Sequence, residues 1–402
     1  MKTREAKVGW LACAAFALAF AAMLSGGLLI AAVVSLAAIL FLPLQPISWR
    51  SVRWAWPFVP AALFLIWACT TYLWSPHEDA EQIPKTLFGI PLYAVFAWRV
   101  GALEGEWKRR AEGFLVFAMV GAGLFFLYET LTGGHGTMGF KLGYEGFTTD
   151  DLRDLTRKIM RSLGHGVAPF VLIGGPAVAL MWQRGKRRLA IMVGGIMLIA
   201  AFSFDMSVNA MALVLASVVT SVAALRPRLA LSVVFMGMAI LLVMMPLLLP
   251  AAISALPDEL VASLPESWAQ RLQIWQFSSD VIAEQPWFGY GLDASRELGR
   301  DIMADGFRGS ILPLHPHNAA LHVWMETGLV GAILLAVTLV STGEMLSRLD
   351  GLGRTQALTI IWVAVAYAAL LVFSYGVWQE WHQASLGMAI AVIRFLDRRS
   401  LA

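Results

Sequence analysis

Apolar runs return along this chain too often, and at too great a length, for a water-soluble core to absorb them. Twelve are legible, at residues 8–24, 27–44, 54–74, 86–101, 111–131, 164–182, 189–204, 206–225, 229–254, 319–342, 355–375 and 384–396. A helix needs about 20 apolar residues to span a hydrocarbon core about 30 Å thick. In lipid the backbone N–H and C=O groups must be paired within the protein, which favours the α-helix for runs of this length. The predicted fold class is therefore all-α, a polytopic membrane protein of about 12 transmembrane helices. Composition agrees: 58% of residues are hydrophobic and 14% charged, against about 25% charged in an ordinary soluble domain. The opening MKTREAKVGWLACAAFALAFAAMLSGG resembles a signal peptide. A second apolar run follows at once, so the segment is read as a retained helix.

Basic residues orient this map. With both termini cytoplasmic, the inner segments hold 20 of the 30 Lys and Arg residues, in groups such as Arg50 and Arg53, Lys108 to Arg110, Lys186 to Arg188, and Arg398 with Arg399. No inner segment lacks one. The other ten fall in three longer, acid-rich outer segments. The net charge of +3 and the absence of a Lys/Arg tract give no reason to expect a nucleic-acid partner. Cys13 and Cys69 both lie in apolar runs, which excludes a disulfide framework.

The whole chain, 1–402, reads as a single membrane domain whose inner connections are short. Two outer connections are long: 133–164, and a large outer loop at 255–318 between the ninth and tenth apolar runs. Long segments of this kind are usually functional. Within the second, Ser263 and Glu266 have capping-box spacing, predicting a helix over about 264–284 that stops before Pro286. Trp268, Leu272, Trp275 and Ile282 share one face of it, with Arg271 at the edge, as expected of an amphipathic helix lying along membrane lipid.

Six of the seven histidines (His77, His135, His165, His315, His317 and His382) fall in outer loops or at outer helix ends, so any chemistry is expected on the outer side. In HPHNAALHVWMETG, Asn318 is placed to cap the helix that follows by accepting the N–H of Ala320 or Leu321. His317 then hangs over that helix N-terminus, whose dipole favours the neutral, proton-accepting imidazole. The competing reading makes His315 and His317 anchors at the headgroup level. A metal is not expected, since zinc takes three or four ligands and neither H-E-x-x-H nor a cysteine pair is present. His322 and Glu326 are one turn apart on a helical face and read as a lock between helices. Arg161, near His165, and Arg271 are permanently charged groups suited to phosphate oxygens.

RLQIWQFSSDVIAEQPWFGYGL followed by HPHNAALHVWMETGLVG resembles the O-antigen ligase/polymerase superfamily of bacterial envelope glycosyltransferases. The matching pattern is Arg271 and Trp275, then Pro286, Gly289 and Gly291, then His317 and Asn318, then Glu326, Gly328 and Gly331. A looser match is the R-x-x-G segment from Arg161 to Gly164. One departure is clear: where the family usually has Ser-Arg, this chain reads FDMSVNAMALVLA, so Val208 or Asn209 takes the arginine's place. Asn209 donates hydrogen bonds without bringing charge.

The resemblance implies a bacterial inner-membrane enzyme that transfers a glycan from undecaprenyl diphosphate to an acceptor hydroxyl at the periplasmic face, with inversion and without metal or other cofactor. His317 and Arg271 would be catalytic. Arg161, His165, His315, Asn318, Trp275 and Asn209 would bind substrate. The acceptor would be lipid A-core for a ligase, or a growing glycan for an O-antigen or exopolysaccharide polymerase. A transporter of lipid-linked glycan is the reading from another class; a helix break at Pro176, in GGPA, would favour it.

Overall fold

The computed structural model of the protein describes residues 2–44, 57–144, 152–304 and 310–397. Among these, regular structure is helical, apart from one isolated bridge between Met303 and Ser310. The first part holds α1 (Lys2–Leu24), α2 (Leu29–Phe41), α3 (Phe58–Thr70), a single turn α4 (Gln82–Pro84), α5 (Ile90–Gly101) and α6 (Gly105–Thr132). Then come α7 (His135–Tyr144), α8 (Leu152–Gln183), α9 (Arg187–Ser203), α10 (Ser207–Ala223) and α11 (Pro227–Ser254). The short α12 (Asp258–Ser263) and α13 (Glu266–Glu284) lead to α14 (Ala319–Ser347), α15 (Arg354–Phe373) and α16 (Glu380–Phe395). Each of the twelve apolar runs corresponds to one of these helices. Six are long and apolar enough to cross a membrane: Arg4–Leu24, Gly105–Thr132, Asp154–Gln183, Pro227–Ser254, Ala319–Ser347 and Arg354–Phe373. Arg50, Arg53, Arg398 and Arg399, part of the inner basic set, lie outside the described residues.

The two largest packed regions organise most of the helices. One joins α1, α2, α6, α8, α9 and α16; the other gathers α3, α11, α13 and the first half of α14 around Trp275, Trp324 and Trp378. On α11 the opposite side stays bare: Leu229, Val233, Ile240, Leu241 and Leu247 are more than half exposed. So much uncovered aliphatic surface on one helix is what a lipid-facing element presents.

The α14 helix is broken in its middle. Gly328 has φ +63° and ψ −166°, a conformation essentially confined to glycine. Backbone groups released by the break need partners, and the loop at 286–291 supplies them. Leu329 N–H donates to Pro286 O at 2.8 Å and Val330 N–H to Trp287 O at 3.3 Å. In return Tyr290 and Gly291 N–H donate to the carbonyls of Met325 (2.7 Å) and Glu326 (3.0 Å). The Trp67 indole donates to the remaining carbonyl, Thr327 O, at 2.9 Å. Two glycine motifs distant in sequence thus interlock backbone to backbone. A Cβ on Gly328 would stand 2.4 Å from Trp287 O, and one on Gly289 2.7 Å from the Gly328 nitrogen. Gly328→Ala is expected to destabilise the fold by roughly 2–4 kcal/mol, measured as a lower unfolding midpoint in detergent. An unchanged midpoint would refute this account of the break.

Three expectations are corrected. Ser263 does not cap α13: its hydroxyl turns back to Leu260 O at 2.8 Å, ending α12. The α13 helix starts instead behind Pro265, whose carbonyl accepts from Trp268 and Ala269. The apolar face of α13 packs onto α11 and α14, so Trp275, 4% exposed, is covered by protein where a lipid contact was expected. And α8 runs unbroken through Pro169 and Pro176, so the break that favoured a transporter is absent there. That helix also begins a dozen residues before its apolar run, which places Arg161 on the same helix as His165. Gly164 sits inside it because a Cβ would meet Met206 Cγ at 2.7 Å.

Candidate active site

The approach to α14 determines what its histidines do. Asn318 is extended (φ −148°, ψ 111°), and its side-chain oxygen accepts from Ala320 N–H at 3.0 Å and Leu321 N–H at 3.1 Å. This is the expected cap, with both donors satisfied. His317 has the left-handed φ of +52°, unusual for a side-chain-bearing residue. The bend turns its imidazole towards the turn between α15 and α16, where Nδ1 lies 2.7 Å from Ser374 O. A carbonyl only accepts, so the proton is on Nδ1. In the neutral ring the lone pair is then on Nε2, which has no protein partner among the described residues. Burial holds the His317 pKa down to about 4, opposed by the Ser374 carbonyl and reinforced by the charges of Arg271 and Arg161. The neutral form expected from the helix dipole is thus favoured chiefly by desolvation.

His315, 8% exposed, lies edge-on to His317 with ring centres 4.6 Å apart. Its Nδ1 accepts the His317 backbone N–H at 3.1 Å, and its Nε2 lies 3.3 Å from the Gln379 carboxamide. His315 therefore shapes the bend that aims its neighbour. The two rings use their nitrogens on separate partners. Among the described residues no group of three or more His, Cys, Asp or Glu is arranged as a metal site.

Arg271 and Arg161 bring positive charge to the same place from α13 and α8; both depress the pKa of His317, and burial followed by the charge of Arg161 lowers that of Arg271. Arg271 donates from Nη1 to Ser267 O at 2.9 Å and lies 5.2 Å over the Trp268 ring. Its Nε is buried without a partner. Arg271 has no carboxylate partner among the described residues, whereas Arg161 shares its stretch of α8 with the carboxylate of Asp154, two turns earlier. Two guanidiniums beside a neutral histidine have the chemistry to receive a polyvalent anion. Trp275 underlies this corner, packed on Trp268 and Phe373, with its indole N–H buried and unpaired. His165 stands 5.7 Å from Tyr375 and 6.2 Å from Trp381. Asn209 is 1% exposed and donates to Gly164 O at 2.8 Å, tying α10 to α8 immediately behind His165.

The turn Ser374–Gln379 is the part that sequence reasoning missed. It holds His317 through Ser374, adjoins Arg271 through the buried Tyr375, and meets His315 through Gln379. A signal was present: FSYGVWQEWHQ is dense in Trp, Tyr, Gln and His between two apolar runs. His382, expected at an outer helix end, is fully buried there and stacked on Tyr367 at 4.5 Å.

Residues 206–336 match the family model described as O-antigen ligase. That span takes in Arg271, Trp275, His317, Asn318 and Glu326; Arg161, His165 and the 374–379 turn lie outside it. The chain is 26% identical over 349 residues, 83% of its own length and 78% of the relative's, to a candidate polysaccharide ligase of Rickettsia conorii. It is 26% identical to one from Rickettsia felis, over 60% of this chain and 61% of the relative. A third, from Rickettsia prowazekii, is 33% identical over 31% of each chain. The chain thus spans less than two thirds of the last two relatives and more than three quarters of the first.

Proposed function

We propose that this chain, similar to the O-antigen ligase family over residues 206–336 and to a polysaccharide ligase over most of its length, is an inverting, metal-independent glycosyltransferase of the bacterial inner membrane. Its twelve apolar helices cross the bilayer with both termini in the cytoplasm, and the site opens to the periplasm. The donor is a glycan on undecaprenyl diphosphate, and the acceptor is a hydroxyl of lipid A-core. One observation carries the reading: the 2.7 Å contact from His317 Nδ1 to Ser374 O, which leaves the Nε2 lone pair free beside the guanidiniums of Arg271 and Arg161.

The chemistry follows from those groups. The acceptor oxygen attacks the anomeric carbon as its proton passes to His317 Nε2. The bond from that carbon to the phosphate oxygen breaks on the opposite face, inverting the centre. Arg271 and Arg161 stabilise the charge that collects on the departing diphosphate. The isoprenoid stays in lipid, while the helix mouth admits a polar acceptor.

Loss of the protein in cells is expected to leave lipid-linked polymer unattached; single repeat units accumulating in its place would identify a polymerase. A pH dependence is also expected. In the donor-free enzyme His317 takes up a proton only near pH 4, so the acid limb of kcat/KM should fall near that pH. A bound diphosphate offsets the two arginines and raises the base's pKa, so the acid limb of kcat should lie higher. Coincident limbs near pH 6.5 would contradict the assignment.

A further inference from the structure

Beneath the histidines lies a buried polar knot that the transfer chemistry does not itself use. Glu326, on the α14 turn just before the Gly328 break, is 0% exposed. Its Oε1 accepts from Ser295 Oγ at 2.7 Å, from His322 Nε2 at 3.0 Å and from Ser295 N–H at 3.3 Å. Its Oε2 accepts from the Trp378 indole at 2.6 Å. The tautomer of His322 is fixed by a backbone group. Val377 N–H donates to Nδ1 at 3.2 Å, so the ring proton is on Nε2 and points at Glu326. A carboxylate and a neutral imidazole thus grip the α15–α16 turn at two consecutive residues, Val377 and Trp378. Gly376, between that grip and Ser374, packs against His315: a Cβ there would stand 3.1 Å from its ring. At the near end of the same turn, Ser374 O receives the His317 proton.

For stability alone this knot is an expensive choice. Burying a carboxylate is costly before its partners offset it, and apolar packing of similar volume often serves as well. What the knot supplies is position. It links α14, the Ser295 segment and the 374–379 turn through acceptor and donor directions that admit one arrangement. We propose that Glu326, with His322 and Trp378, is a positioning residue for glycan transfer: it holds the turn whose Ser374 carbonyl keeps His317 in its Nδ1–H tautomer. This rests on the reading of His317 as the base, and it adds three residues that act through His317 without touching substrate.

The test is Glu326→Gln. A carboxamide of the same shape keeps one acceptor but turns an NH₂ towards a group that also donates, so one grip on the turn is lost. In protein labelled with ¹⁵N-histidine and embedded in lipid, His317 is identified by the signal that disappears in His317→Asn. Wild type is expected to show Nδ1 protonated, and Glu326→Gln a mixture of tautomers. With it kcat should fall roughly tenfold to hundredfold, as for other groups that orient a functional side chain, while the donor KM stays within about twofold because Arg271 and Arg161 are untouched. Trp378→Phe, a milder cut of the same knot, should shift both readouts in the same direction by less. His317 remaining purely Nδ1–H in Glu326→Gln overturns the proposal, whatever happens to the rate. Mixed tautomers with unchanged kcat overturn it as well. Full transfer by His317→Ala would instead remove the general base and leave the tautomer measurement standing, so the two failures are distinguishable.

Discussion

Replacing His317 with alanine is expected to lower glycan transfer by roughly 10²–10⁴-fold, the usual range for loss of a positioned general base. The protein should still insert and accumulate, because the ring is only half-buried and the helix cap belongs to Asn318, which the substitution leaves in place. Backbone strain needs a control, since residue 317 has φ +52°. Asparagine tolerates that conformation better than alanine but provides no base. His317→Asn should therefore lose as much activity as His317→Ala. Transfer assays on purified enzyme in lipid, with protein levels matched, decide the point; full activity in either variant would leave the imidazole without a role in the chemistry.

Arg271→Ala should lower kcat by roughly 10²–10³-fold, the loss typical when one preorganised donor to a developing oxyanion is removed. Arg271 is the better placed of the two arginines. Its Nε is buried and unpaired, and Trp268 and Ser267 hold its plane, whereas Arg161 is exposed. Lysine should restore only part of the activity, since it replaces a planar fork of donors with a single point of charge. Arg161→Ala should cost less than Arg271→Ala. An increase in donor KM with kcat intact would make Arg271 a ground-state contact and take the transition-state role from it.

Much of the candidate site was legible in the residues. The spacing from Arg271 through Asn318 to Glu326 marked the segment that the family model matches. The cap at Asn318 and the pairing of His322 with Glu326 both follow from helical periodicity and appear as bonds of 3.0–3.1 Å. Other features were not legible, for physical reasons. Ser263 and Glu266 have the spacing of a cap, yet a proline two residues on, at 265, starts the helix, and the serine hydroxyl bonds backwards. Pro176 has the sequence of a break but lies within an unbroken helix; Gly328, without a proline nearby, is where the helix opens. The glycines of 286–291 and 328–331 were recognisable as a pattern, but what they fit was not. Each exists for the other's backbone.

Apolar periodicity and run length by themselves determined that this chain is helical and rich in membrane-length segments, because lipid leaves backbone groups few other ways to be paired. Residue identity determined which side chains are able to carry charge or accept a proton. Tertiary structure decided which of them meet. Arg161 and His317 are more than 150 positions apart, and Ser374 comes 57 residues after His317; no local rule brings such groups together. Their encounter depends on helices packing so that the Met206 side chain closes on Gly164 and backbone approaches backbone at Gly328, and on a buried carboxylate holding a turn that sequence periodicity passes over in silence.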